Sequence, residues 1–134
     1  MTPADARDTL VERLEATWDK VTVPVFYENV TGVNLTTVGD YFLKAQIEWN
    51  GSSQANVSPT PFERTYGVWV LWLLAKESLG TRQALVYLES LRTLFRFKNF
   101  GGVHTQAARL ENGPTQQGWC SHEVRVPFYF DSNS

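Results

Sequence analysis

The sequence is poor in cysteine, in net charge and in long apolar segments. Its single cysteine, Cys120, excludes an internal disulfide framework and is typical of a reducing compartment. The 14 acidic and 12 basic residues nearly cancel, which excludes a strong overall field that would attract nucleic acid or an anionic membrane. No apolar signal segment opens the chain, and the apolar run at residues 68–75 is too short to cross a bilayer. We therefore expect a soluble intracellular protein that binds neither a membrane nor nucleic acid directly.

The chain also lacks a catalytic or cofactor-binding motif of recognised spacing. Cys120 and His122 fall on one face of a predicted strand, with Glu123 beside them, and such side chains can form a metal pair or a Cys/His nucleophile. However, no third ligand follows at close spacing, and a lone cysteine in a strand is usually a small core residue. The sequence thus predicts no enzyme, no catalytic residue, no metal and no cofactor. The alternative is a small ligand-binding domain, with a pocket between the second helix and the sheet, or a Cys/His-dependent enzyme of α+β fold.

What the sequence does have is a strongly apolar stretch at residues 66–75, around which the chain is organised. Valine, tryptophan and leucine occupy both faces of its alternating pattern, which predicts a buried strand. A strand that is apolar on both faces needs cover on both. Whichever of Trp69 and Trp72 points outward would be exposed on a monomer, and an exposed apolar patch usually marks a protein interface. The other possibility is that a loop or the N-terminal strand covers it.

Two amphipathic helices are predicted, one before and one after this strand in the sequence. Thr2, Pro3 and Asp5 form a start signal for the first helix, and Thr81 is predicted to cap the second with its side chain. The alternation and the turn residues predict further strands at 21–27, 40–49, 103–110 and 119–130, and polar loops at 28–39, 50–61 and 111–118.

This order predicts a single domain that spans residues 1–134. A chain of this length is enough for one substantial core. Strands joined by short polar loops favour antiparallel pairing, and the two amphipathic helices both need a sheet face to cover. The predicted fold class is therefore α+β, as a two-layer sandwich with a mainly antiparallel sheet of four to five strands and two helices on one face.

The order and spacing of several segments resemble the phage tail-terminator family, as found in long-tailed phages and prophages. The likeness runs from the first helix to Phe130. The matching segments are Leu10-Val11-Glu12-Arg13-Leu14 with Trp18, the strand at 41–49, Arg64-Thr65-Tyr66-Gly67, Gly80 before Ala84-Leu85-Val86-Tyr87-Leu88, residues 91–96, and Val124-Arg125-Val126-Pro127-Phe128. Residues 72–75 depart from the family by being more apolar.

The resemblance implies a structural function. Such proteins form a ring, commonly a hexamer, that caps the tail tube at full length, ends its polymerisation and offers a surface for head-tail joining. The implied partners are further copies of the chain, the tail tube protein and a head-completion protein. The implied location is the virion tail, after assembly in the host cytoplasm. A ring also accounts for the two-sided strand, because heterologous contacts bury one patch against a different patch on the neighbour.

We therefore expect the interface to involve the central strand and the polar loops at 28–39 and 50–61. Long polar loops can become ordered when a partner binds. The candidate interface residues are Arg64, Trp69, Trp72, Asn50, Ser52 and Asn56.

Overall fold

The structure is a computed structural model that describes residues 1–28, 39–54 and 62–133. Two α-helices and seven strands follow one another, with a short 3₁₀ turn at Glu77–Leu79. The elements are α1 (Pro3–Thr17), β1 (Val25–Tyr27), β2 (Tyr41–Gln54), β3 (Phe62–Lys76), α2 (Arg82–Phe95), β4 (Asn99–Phe100), β5 (Val103–Thr105), β6 (Arg109–Gln116) and β7 (Trp119–Asn133). Neither helix of the described ranges has the length and apolarity that a membrane span requires.

All seven strands belong to one mixed sheet, in the order β1-β2-β3-β7-β5-β4, with β6 also paired to β7. Strand β1 runs parallel to β2, and every other pair is antiparallel. The long strands β2, β3 and β7 form the centre, and the sheet is strongly curled into a half-barrel. The predicted fold class, a two-layer sandwich with four to five mainly antiparallel strands, is therefore wrong.

The curl and the extra strands have physical causes that a hydrophobic pattern does not report. The β2–β3 register shifts between Trp49 and Gly51, where Gly51 has a φ of 103°, and a second shift interrupts β6–β7 between Asn112 and Thr115. Such irregularities increase local twist, and long strands accumulate it. Residues 111–116 of the loop predicted at 111–118 belong to β6 instead. Among the described strands β6 pairs with β7 alone, and a strand paired on one side tolerates a proline such as Pro114.

Other predicted boundaries are confirmed in part. Strand β3 contains the predicted central strand, and β7 contains the predicted last strand. The strand predicted at 103–110 is shorter, because β5 ends at Thr105 and Arg109 begins β6. The loop predicted at 50–61 begins as strand, since β2 continues to Gln54. Its remainder, and most of the loop predicted at 28–39, lie outside the described residues.

The two helices begin differently, although both follow a threonine. The Thr2 hydroxyl accepts a hydrogen bond from the Asp5 amide at 3.2 Å, and the Asp5 carboxylate accepts one from the Thr2 amide at 3.0 Å. This reciprocal capping box confirms the predicted start of α1. The Thr81 side chain makes no capping hydrogen bond, so its predicted role is wrong, although its carbonyl accepts from the Leu85 amide at 2.9 Å.

The core lies between the helices and one face of the sheet, which we call the covered face. Trp69 is fully buried there, with its ring 6.0 Å from that of Phe95. The core is formed mainly by large apolar side chains from both helices and from alternate positions of the three central strands: Leu10, Leu14, Leu88, Leu91, Phe95, Leu43, Leu71, Leu73, Val124, Val126, Phe128 and Phe130.

Candidate interaction surface

The opposite face of the sheet carries the other half of the central-strand side chains, and we call it the open face. All buried helix side chains belong to the core on the covered face. Since side chains alternate along a strand, Trp69 and Leu71 of β3 face the helices, whereas Tyr66 and Trp72 face away from them. The open face is therefore the surface of the central strand that no described helix covers.

Trp72 lies in a cross-strand row at the middle of the open face. The pairing of the strands sets Lys44 of β2 on one side of Trp72 and Glu123 of β7 on the other, and Glu111 of β6 continues the row beyond Glu123. The Trp72 side chain is half-buried, and Glu111 is exposed. Strand β1 extends the sheet beside β2, so it is not a cover over Trp72.

One end of the open face is apolar. Phe42 and Trp119 are buried there, with their rings 5.0 Å apart, and Phe26 meets Phe42 edge-on at 5.9 Å. Leu74 of the central strand packs against the same small cluster. This second cluster shows that the outward side of β3 continues as a packed apolar surface toward its C-terminal end.

An ion-pair bridge crosses the central strand in the middle of the open face. Arg125 of β7 contacts Glu123 at 3.3 Å and also bonds Glu48 of β2. Because β3 lies between β2 and β7, this second bond passes over β3, whose Val70 is completely buried beneath that region. The bond to Glu48, followed by that to Glu123, raises the pKa of the Arg125 guanidinium.

The other end of the open face is built around Tyr129. The Arg64 guanidinium lies 4.2 Å from the centre of the Tyr129 ring, and His104 stacks on that ring at 4.8 Å. Arg64 also donates two hydrogen bonds to the Asp131 carboxylate, at 2.8 and 3.2 Å, which lower the pKa of Asp131. Tyr66 lies beside Tyr129, with ring centres 6.3 Å apart, and 40% of Tyr66 remains exposed. These contacts hold an aromatic and charged surface in place at this end of the open face.

The structure divides the candidate interface residues between different environments. Arg64 and Trp72 lie on the open face of β3, whereas Trp69 is enclosed in the core and offers no surface to a partner. Asn50 is exposed at the β2 irregularity, and the Ser52 hydroxyl lies 3.0 Å from that of Thr65. Asn56 lies outside the described residues.

Sequence reasoning missed the partners that hold Arg64 in place. Tyr129 and Asp131 continue the outward alternation of Glu123 and Arg125 along β7, and this pattern could have identified them. The predicted strand ended at residue 130, one residue before Asp131. The stack of His104 on Tyr129 depends on a long-range strand pairing that the sequence pattern does not report.

The three side chains considered for catalysis do not converge. Cys120 accepts a hydrogen bond from the Thr115 hydroxyl at 3.7 Å, and Asn112 pairs with His122 in β6–β7. Glu123 points to the opposite face of the strand, where it bonds Arg125. Within residues 1–28, 39–54 and 62–133, no three or more His, Cys, Asp or Glu side chains are grouped so that they could hold a metal ion.

A shallow groove lies between the C-terminal end of α1 and the side of α2. Its lining mixes apolar and polar side chains: Thr17, Trp18, Val86, Glu89, Ser90, Thr93 and Leu94. The groove therefore runs between the two helices, whereas the ligand-binding alternative expected a pocket between the second helix and the sheet.

Comparison with known proteins identifies a related fold. No protein-family model matches this chain, and no curated protein matches it. Several solved structures match, and one of them does so with a TM-score of 0.62 at 14% sequence identity. The match covers 92% of this chain and 94% of that chain. At this level of identity the likeness concerns the fold alone, so the curled sheet with its two helices recurs in another protein of similar extent.

Proposed function

We propose that this chain is a structural subunit of a phage tail, which assembles into a ring that caps the tail tube. The ring ends tube polymerisation and provides the surface on which a head-completion protein docks. The sequence resemblance described above is one support for this proposal. The other is the open face, which carries the physical argument for assembly.

The observation that carries the proposal is the pair of aromatic side chains on the open face of the central strand. Trp72 is half-buried and Tyr66 is 40% exposed, and both lie outside the core that packs on the helices. Tryptophan, tyrosine and arginine are the residues that most often anchor protein interfaces. Arg64, held by Asp131 beside Tyr66 and Tyr129, adds the third of these types to the same face.

A ring requires more than one such anchor. Burying one large apolar side chain stabilises an interface by about 1.5–3 kcal/mol, and association itself costs translational and rotational freedom. The open face supplies several anchors in one rigid sheet, so few side chains lose freedom when it docks. In a closed ring, this face of one copy meets a different surface of the next copy.

The proposal is tested by adding the full-length chain to polymerising tail tube protein from the same genome. We expect shorter tubes, with a ring at one end, as the ratio of chain to tube protein rises, and electron microscopy of negatively stained tubes measures both. Two variants are compared in the same assay. Trp72→Glu places a charge on the open face and should no longer shorten the tubes, whereas Glu12→Gln on the exposed side of α1 should shorten them as the wild type does. A tube-length distribution that a molar excess of the wild-type chain leaves unchanged would overturn the proposal.

A further inference from the structure

Asn50 is directly followed by a glycine at an irregular point of β2. The sequence contains two such Asn-Gly pairs, Asn50-Gly51 and Asn112-Gly113. Asparagine is a thermolabile residue, because the backbone nitrogen of the next residue can attack its side-chain amide. A glycine in that next position has no Cβ to block the approach. The two pairs are therefore chemically the easiest places for this reaction, and the fold decides between them.

The fold leaves the first pair open. The β2–β3 register passes from Trp49 to Gly51, so Asn50 is the extra residue of a bulge and has no partner position on β3. Asn50 and Gly51 are both exposed. Gly51 has a φ of 103°, and a Cβ added to it would meet nothing within 4 Å. The described neighbours therefore leave the Gly51 nitrogen room to approach the side-chain carbonyl carbon of Asn50.

The second pair is packed against β7. Asn112 is also exposed, so exposure of the asparagine does not distinguish the two pairs. However, Asn112 is in register with His122, and a Cβ on Gly113 would lie 2.5 Å from the hydroxyl oxygen of Ser121 and 2.9 Å from its Cβ. The carbonyl oxygen of Ser121 would be 3.3 Å away, so backbone as well as side chain crowds this glycine. The Gly113 nitrogen can turn toward the Asn112 side chain only if β6 moves away from β7.

We propose that Asn50 is a site of spontaneous modification, at which the chain converts its own asparagine to aspartate and isoaspartate, whereas packing on β7 protects Asn112. The inference goes beyond the proposed ring and does not depend on it. No enzyme is needed, because the attacking group is the backbone nitrogen of Gly51.

The reaction proceeds in two steps. The Gly51 amide gives its proton to water or hydroxide, and its nitrogen forms a bond to the side-chain carbonyl carbon of Asn50. The bond from that carbon to Nδ2 breaks, and ammonia leaves after it takes up a proton from the solvent. Water then opens the five-membered imide, at the side-chain carbonyl to give aspartate or at the backbone carbonyl to give isoaspartate. Overall, an amide and a water become a carboxylate and an ammonium ion.

The product differs from the encoded chain in charge and in backbone length. Each event adds a negative charge to a chain whose formal net charge is −2 at pH 7. Isoaspartate also lengthens the backbone by a single carbon, at a point where β2 already holds one residue more than β3 opposes. The bulge can therefore take up the longer backbone without a shift of the remaining β2–β3 pairs.

The test follows each asparagine in the purified full-length chain during incubation at neutral pH. Proteolysis and mass spectrometry measure the conversion, and water enriched in heavy oxygen identifies the reaction, because opening of the imide places a solvent oxygen in the product. We expect aspartate and isoaspartate at position 50. We expect Asn112 to convert about tenfold or more slowly, since crowding raises the barrier of the attack.

Two controls separate the effect of the fold from that of the dipeptide. In the same chain unfolded in urea, Asn50 and Asn112 should convert at similar rates, because the fold then holds neither glycine. In folded Asn50→Gln, the amide lies a carbon further from the Gly51 nitrogen, so conversion at position 50 should be lost while that of Asn112 is unchanged.

The inference is overturned if position 50 remains asparagine in the folded chain over a time in which the urea-unfolded chain has converted. It is also overturned if Asn112 converts as fast as Asn50 in the folded chain, or if the ratio of the two rates is the same in urea, because the fold then does not select the site. A product without solvent oxygen, or conversion that persists in Asn50→Gln, excludes the imide route. None of these results bears on tube capping, so the proposed function stands or falls separately.

Discussion

Gly67 shows how little space separates the central strand from its neighbour in the core. A Cβ at this position would lie 2.7 Å from Cζ of Phe128 and 3.3 Å from the carbonyl oxygen of Glu48. Phe128 is itself buried, so its ring has limited room to move. A hydrogen is therefore the side chain that the packing accepts here, and the glycine is explained by a close approach rather than by its backbone angles.

This close approach predicts the effect of Gly67→Ala. We expect the free energy of unfolding to fall by about 1–3 kcal/mol, the usual range for overpacking a core, and urea titration followed by tryptophan fluorescence measures it. Phe128→Leu in the same chain should recover part of the loss, because the shorter side chain makes room for the methyl group. If the double variant loses as much free energy of unfolding as the two single variants added together, or more, the clash with Phe128 is not the cause.

At the scale of the elements, the two helix starts offer a matched comparison. Thr2→Ala removes the hydroxyl acceptor for the Asp5 amide but keeps the hydrogen bond from the Thr2 backbone amide, which is the main cause that lowers the pKa of Asp5. We expect it to cost about 0.5–2 kcal/mol of stability, the range for a lost helix cap. Thr81→Ala should cost less than about 0.5 kcal/mol, as for a surface position without a cap. Equal losses in thermal unfolding of the two variants would contradict the assigned cap.

The pair of Arg64 and Asp131 joins β3 to β7 near the end of the open face. Its two hydrogen bonds hold the pKa of Asp131 below the ordinary value of 3.8. A carboxylate with a depressed pKa in the folded state stabilises the protein above its unfolded pKa, and this contribution is lost as the pH falls through the folded pKa. Because both side chains are about one-third exposed, solvent screening keeps the contribution small.

This pair predicts a pH-dependent difference between the wild type and Asp131→Asn. The variant should be less stable above about pH 5, and the difference should shrink below about pH 4, because protonation then removes the same charge from the wild type. Denaturant titrations across pH 2–7 measure the difference, with Glu12→Gln as a control for loss of an exposed carboxylate. A difference that is constant over this range would contradict the role of the ion pair.

Sequence patterns identified the elements more readily than their arrangement. The period of α2 and the two-sided apolar run of β3 were visible in single segments, since each pattern is local. Strand β6 was missed because Gly113 and Pro114 are typical of a loop, and an edge position makes them acceptable in a strand. The curl depends on the bulge near Gly51 and on strand twist, which leave no mark in the hydrophobic period.

The candidate surface was predictable to the same extent. Arg64 and Trp72 were identified because β3 itself alternates, but the pattern could not decide that Trp69 faces the helices and Trp72 faces away from them. The pairing of Arg64 with Asp131 joins residues 67 positions apart, which a local pattern cannot show. The same limit applies to the exposed Phe97 after α2, whose amide donates to the Gln106 carbonyl while the next amide, of Lys98, donates to the Thr105 hydroxyl.

At the scale of the whole molecule, we propose that the chain works as an assembled ring whose open face is buried by the next copy. In such a ring the open face would have the same role in every subunit, while the other face of β3 packs in the core.

The measurement that tests this claim most directly is the native mass of the wild-type chain over a range of concentrations, with negative-stain images of the same samples. We predict a single closed species of defined subunit number that forms as the concentration rises, appears as a ring, and is lost in Trp72→Glu. A mass that stays that of the monomer at every concentration, with no rings in the images either alone or with added tail tube protein, would contradict the account.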